Sequence, residues 1–166
     1  MLQSFLTIDP GSNIGGALFM NSAPLFTFVI KDKKDKDNQI KWHDRLPIII
    51  KEFKKELIAP KQFTDLVYIE RPMFMGDDVR GIITAKSDSL YKLTTIYGAI
   101  LDVLHDFRFK IEYLKPWQWK GQLNKKQLAY RLKLLTNNVY PDHIADAIGM
   151  GYYILGKFPN VRSAKR

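Results

Sequence analysis

The stretch LQSFLTIDPGSNIGGALFM, residues 2–20, reads as two apolar strands joined by turn chemistry, with an acid closing the first strand. Residues 3–8 have the apolar, β-branched character of a short strand, Asp9-Pro10-Gly11-Ser12-Asn13 supplies the turn, and Gly15 to Met20 returns. Two later apolar runs carry acids in the same way. LVYIERP, residues 66–72, holds Glu70, and HIADAIGMGYYIL, residues 143–155, holds Asp146 and follows Asp142. If each run is a buried element, folding collects Asp9, Glu70, Asp142 and Asp146 at one edge of a sheet. Carboxylates gathered within a few ångströms raise one another's pKa, and hard divalent cations that prefer oxygen ligands relieve that repulsion.

Working outward, a turn at Asn21-Ser22-Ala23-Pro24 leads to a third strand over residues 25–30, which completes an antiparallel meander. Residues 31–39 mix Lys with Asp and read as a solvated loop. Leu46, Ile49, Ile50, Phe53 and Leu57 keep helical spacing behind a possible Asp44 cap, so a helix is expected to cover the sheet. Residues 66–69 form a strand between Pro60 and Pro72. Residues 76–86 read as a loop, and 87–107 as a long helix with Leu90, Leu93, Tyr97, Ile100, Leu101 and Leu104 inward. A strand over 109–114, a basic helix over 125–135 and an apolar helix over 142–155 follow. The order βββαβαβα is that of the ribonuclease-H-like fold, an α/β architecture with a mixed five-stranded sheet flanked by helices.

The 166 residues suffice for one domain with a real core and are too few for two ordinary ones. The formal net charge is +9, so a basic body surrounds the proposed acidic edge, which suits a polyanion held by Lys and Arg. Between Arg108 and Lys133 there are eight Lys or Arg residues against one acid, Glu112, a stripe of phosphate-binding character. The absence of cysteine excludes disulfides and thiolate zinc sites. No apolar stretch approaches the roughly 20 residues of a membrane span. A carboxylate already at position 9 leaves no room for a removable leader, so a cytoplasmic protein is expected, of a bacterium or a virus-infected cell. Together these features point to a Mg²⁺-dependent phosphodiester hydrolase acting on nucleic acid. No side-chain nucleophile with a His-Asp relay is evident.

Five segments, in order, carry a family resemblance across nearly the whole chain. IDPGSNIGGALF resembles the first strand and turn of the RuvC-type Holliday-junction resolvases, and YIERPMFM their strand-borne glutamate with its following apolar loop. SDSLYKLTTIYGAI is similar to their long helix, KPWQWK and NKKQL to their basic substrate-contacting segments, and DHIADAIGMG to their terminal acidic helix. The resemblance implies a homodimeric endonuclease that nicks opposed strands of a four-way DNA junction, with residues 1–158 as the nuclease domain and 159–166 as a basic tail. It implies Mg²⁺, replaceable by Mn²⁺, with two ions at each centre, and no nucleotide cofactor.

Residue by residue, the resemblance makes Asp9 and Glu70 metal ligands and Asp146 the ligand from the last helix. That helix can bring either Asp142 or His143 alongside Asp146. Asp9 is also a good turn residue, Asp142 a good helix cap after Pro141, and His143 a candidate ligand or proton shuttle. Lys120 and Lys125 match the functional lysines, while Lys115, Lys126 and Arg131 extend the candidate DNA surface, although Lys126 and Arg131 singly suit a solvated helix face. The chain departs from the family in having Gly121-Gln122-Leu123-Asn124 where a glycine-rich loop is usual. It also departs in placing Phe74 one residue beyond the usual aromatic position, so Phe74 is either a base-stacking wedge or a core residue. Trp117 and Trp119 flank the basic segment, with core packing expected for at least one.

Four other readings remain open. IDPGSNIGG also resembles the phosphate loop of actin-like ATPases, which need a second domain. A non-catalytic junction-binding module, or a nuclease of flapped or other branched DNA, would share the basic surface. A ribonuclease H would take its second acid from the first helix, as Glu52 or Glu56, rather than from Glu70.

Overall fold

The computed structural model describes residues 4–32, 41–72 and 88–158, with the side chains of residues 88 and 89 left aside. In chain order the elements are β1 (Ser4–Asp9), β2 (Ile14–Met20), β3 (Ala23–Ile30), α1 (Trp42–Lys61) and β4 (Leu66–Glu70). These are followed by α2 (Asp88–Asp106), β5 (Lys110–Leu114), α3 (Pro116–Trp119), α4 (Lys125–Thr136) and α5 (Asp142–Ile154). The strands form one sheet in the order β3-β2-β1-β4-β5. The meander β1-β2-β3 is antiparallel, and β4 and β5 join parallel to β1. This is the expected ribonuclease-H-like arrangement, with Asp9 and Glu70 on adjacent central strands.

Alternation along the strands sorts side chains to two faces. Leu6 and Ile8 of β1 with Val67 and Ile69 of β4 pack beneath Ile49, Phe53 and Leu57 of α1 and Ile96, Ile100 and Leu104 of α2. Phe5 of β1 and Ala17 and Phe19 of β2 face Ala147, Ile148 and Met150 of α5 and Leu128 and Leu132 of α4. The sheet is therefore a middle layer between two helical layers. Thr7, fully buried on the second face, hydrogen-bonds through Oγ1 with the Ala147 carbonyl at 2.8 Å, which pins α5 across β1.

Local chemistry differs from expectation in four places. The β2–β3 turn is the two residues Asn21 and Ser22, both at positive φ (54° and 68°), the mirror-image geometry that matches strand twist. Pro24 already belongs to β3, an edge strand that tolerates a missing N–H, and a register shift there leaves Leu25 as the extra residue. The α1 N-cap is Lys41 rather than Asp44, which lies in the first turn. In α2 the buried stripe is Ile96, Ile100, Val103 and Leu104, whereas Tyr97 and Leu101 are only partly buried. No helix among the described residues is long and apolar enough to cross a membrane.

Candidate active site

Period-two alternation decides where the acids point. On β1, Phe5, Thr7 and Asp9 share the face under α5; on β4, Leu66, Tyr68 and Glu70 share that same face. The parallel register ends with Ile8 beside Ile69, so the next residues, Asp9 and Glu70, lie side by side at the carboxyl ends of their strands. Ligand sites in sheets of this kind gather at such ends.

The first turns of α5 complete the group. Gly15 of β2 makes this possible: a Cβ there would sit 2.1 Å from the His143 carbonyl oxygen, so only glycine lets the start of α5 approach the sheet. His143 Nδ1 then lies 3.0 Å from Asp9 Oδ2, and Asn13 Nδ2 lies 3.2 Å from His143 Nε2. One turn on, Asp146 Oδ1 accepts from Lys120 Nζ at 2.5 Å. Glu70 Oε2 accepts from the indole N–H of Trp119 at 2.7 Å.

The electrostatics follow from burial and crowding. Loss of hydration, then the charges of Asp9 and Asp146, push Glu70 up from 4.5 to about 7, with the Trp119 bond and the Lys120 charge opposing. Asp146 is raised for the same first reason, burial, despite its Lys120 bond. His143 is raised chiefly by its hydrogen bond to Asp9. Asp142 behaves differently. It is 59% exposed and bonded to Lys125 at 2.7 Å, and that bond lowers its pKa and raises that of Lys125. Of the two adjacent helix residues, His143 turns to Asp9 and Asp142 turns to the rim. Pro141 is the N-cap of α5, and Asp142 sits in the first turn, where its charge suits the helix dipole.

The lysines reach this edge through local structure. Pro116 starts the short α3, which buries Trp119 and leaves Lys120 as its C-cap. Asn124 and Gln127 form a reciprocal capping box, each side chain accepting from the other's backbone N–H at 3.0 Å, so α4 begins at Lys125. Of the other expected DNA contacts, Lys115 and Lys126 are exposed, and Arg131 lies over the ring of Phe158. Phe74, the loop over residues 76–86 and the tail over 159–166 lie outside the described residues. Glu52 and Glu56 sit on α1, which covers the opposite face of the sheet.

Sequence reasoning missed Trp119 as the partner of Glu70 and Asn13 as the partner of His143. As the side chains stand, no three His, Asp or Glu among the described residues are arranged to hold a metal ion. The acids are instead engaged by Trp119, Lys120 and His143. The donor chemistry nevertheless fits a hard divalent cation. Three carboxylates crowd one edge, and two of them are held above their usual range, a cost that a cation removes.

Solved structures share this architecture. A RuvC structure from Thermus thermophilus is 17% identical, aligned over 93% of this chain and 98% of its own, with a TM-score of 0.61. T. thermophilus RuvC in complex with a Holliday junction substrate is 18% identical over 93% and 97%, with a TM-score of 0.64. The Fowlpox virus resolvase with substrate Holliday junction DNA is 15% identical over 92% and 98%, with a TM-score of 0.52. No protein-family model and no curated protein matches the chain. At these identities the likeness is one of fold: the chain has the ribonuclease-H-like fold of the RuvC-type resolvases.

Proposed function

We propose that the chain is a Mg²⁺-dependent endodeoxyribonuclease that resolves four-way DNA junctions by nicking opposed strands. The observation that carries this reading is the convergence of Asp9, Glu70 and Asp146 at one sheet edge, under-neutralised and flanked by Lys120 and Lys125, on a resolvase fold. Asp9, Glu70 and Asp146 would hold the metal, with His143 beside Asp9 and Asp142 at the rim. Bound there, divalent ions supply water activation and charge neutralisation at the scissile phosphate.

The protein's own groups have separable tasks. Trp119 donates to one Glu70 oxygen and so fixes the rotation of that carboxylate. Lys120 must release Asp146 for cation capture, which frees its ammonium for a phosphate at the same edge. Lys125, two-thirds exposed, can exchange Asp142 for a second phosphate. Gly98 of α2 supports a homodimer built on that helix: a Cβ at this position would meet nothing within 4 Å, so it faces away from the core and allows close approach. Paired nicks across a two-fold junction require two centres, and light scattering of the protein alone and on DNA tests that assembly.

One cleavage experiment on four-way, Y-shaped, flapped and RNA–DNA hybrid substrates tests the function. Preferred cutting of the four-way junction, with 5′-phosphate and 3′-hydroxyl ends, is expected. Preference for the hybrid or the flap would replace this reading by another nuclease, and tight junction binding with no cutting would make the chain a binding module.

A further inference from the structure

A chain of hydrogen bonds runs from the α1 and α2 side of the sheet to Asp9. Arg45 Nε and Lys92 Nζ hold the buried Asp32 carboxylate at 2.7 and 2.6 Å. The Asp32 backbone N–H donates to Asn13 Oδ1 at 3.0 Å. Asn13 Nδ2 meets His143 Nε2 at 3.2 Å, and His143 Nδ1 meets Asp9 Oδ2 at 3.0 Å. A backbone N–H can only donate, so the Asn13 atom facing Asp32 is the oxygen and the atom facing His143 is the NH₂ group. That group is a donor, so a neutral His143 must accept at Nε2 and carry its proton at Nδ1, aimed at Asp9.

We propose that Asn13 is a positioning residue that, by donating to Nε2, holds the His143 ring with its Nδ1–H on Asp9 and so fixes the orientation of the Asp9 carboxylate. Asp32 and its two cations anchor the relay, because they fix the backbone on which the Asn13 oxygen rests. With Nε2 occupied by Asn13 and Nδ1–H by Asp9, His143 in this state orients Asp9 and offers no lone pair to a metal. The inference rests on the nuclease reading only for its effect on rate. The tautomer itself is a property of the protein without DNA or metal.

The test is ¹⁵N NMR of the His143 ring, recorded with the imidazole neutral, in wild type, Asn13→Asp and Asn13→Leu. Asn13→Asp keeps the shape and the acceptor for the Asp32 N–H but presents no donor to Nε2, and Asn13→Leu removes the donor without adding charge. The proton is expected on Nδ1 in wild type and in Asn13→Leu, where Asp9 still accepts it, and shared between Nδ1 and Nε2 in Asn13→Asp, where a carboxylate faces each nitrogen. Single-turnover junction cleavage should fall about 10- to 100-fold in both variants at unchanged junction affinity, the usual cost of losing a residue that orients a metal ligand. An Nε2 proton in wild type, or a proton wholly on Nδ1 in Asn13→Asp, overturns the proposal whatever the chain does to DNA. If the tautomers move as expected and no protein cuts DNA, the relay stands and the nuclease reading fails.

Discussion

Asp32 and Glu70 are two carboxylates drawn out of water at the same end of the sheet but on its opposite faces, and their surroundings act on them in opposite directions. Asp32, just past the end of β3, meets Arg45 and Lys92, whose hydrogen bonds and charges hold its pKa down at about 2 despite burial. Glu70, at the end of β4, meets only the Trp119 N–H and the more distant Lys120 charge against Asp9 and Asp146, and rises to about 7. A buried acid given cations belongs to the framework; a buried acid given other acids is held for a cation that the chain does not itself provide.

The sharpest way to break this comparison is to neutralise each acid in turn. Asp9→Asn, Glu70→Gln and Asp146→Asn are each expected to slow cleavage by a thousandfold or so, while junction binding without metal persists. Full cutting by any of them removes that residue from the centre. Asp32→Ala is expected to act on the fold first, costing about 3–5 kcal/mol in denaturant unfolding because it removes the buried carboxylate that Arg45 and Lys92 share. A loss well under 1 kcal/mol would show that the cations reach water.

The pH dependence has opposite signs at the two acids. Glu70 holds its proton more tightly folded than unfolded, so ionising it costs stability as pH rises from 4.5 to about 7, and the cost is complete above that. In the metal-free protein, Glu70→Gln should therefore add about 2–3 kcal/mol at pH 8 and little below pH 4.5, and saturating Mg²⁺ should give the wild type much of the same gain. Asp32 contributes stability above 3.8 that is lost as pH falls toward about 2. Equal unfolding curves for wild type and Glu70→Gln at pH 8 would contradict the uncompensated Glu70.

The smallest effect concerns the lysines. Lys120→Ala and Lys125→Ala should each flatten the log-log salt dependence of junction affinity by about one unit, since each true phosphate contact releases about one counterion. Lys126→Ala, exposed on α4 with no bond to the acidic edge among those described, serves as the comparison and should change the slope less. Identical slopes in all three would place the DNA on another face.

The architecture was legible because strand alternation and helix periodicity were strong. What the pattern could not resolve were α3, four residues long and too short for any period, and the α2 stripe, where apolar residues run around more than one face. Asp9, Glu70 and Asp146 were legible as acids closing or interrupting apolar runs, where an unpartnered charge is costly. The choice between Asp142 and His143 was not, because neighbours on a helix differ by about 100° in direction and only the docking of α5 on Gly15 fixes which one faces Asp9. Asn13 and Trp119 act across 130 and 49 residues of sequence, through contacts that exist only once the sheet has formed. Asn13 was read as a turn residue, and Trp119 as one of two tryptophans of which at least one would pack in the core; Asn13 donates to His143 and Trp119 to Glu70.

Single-turnover cleavage of a four-way junction by wild type and Glu70→Gln, each with Mg²⁺ and with chelator, tests the carboxylate centre most directly. Paired nicks bearing 5′-phosphate and 3′-hydroxyl ends are expected from wild type with Mg²⁺ alone, with both proteins binding the junction under chelator. Equal cutting by Glu70→Gln, or a junction left intact by wild type under every divalent metal, would contradict it.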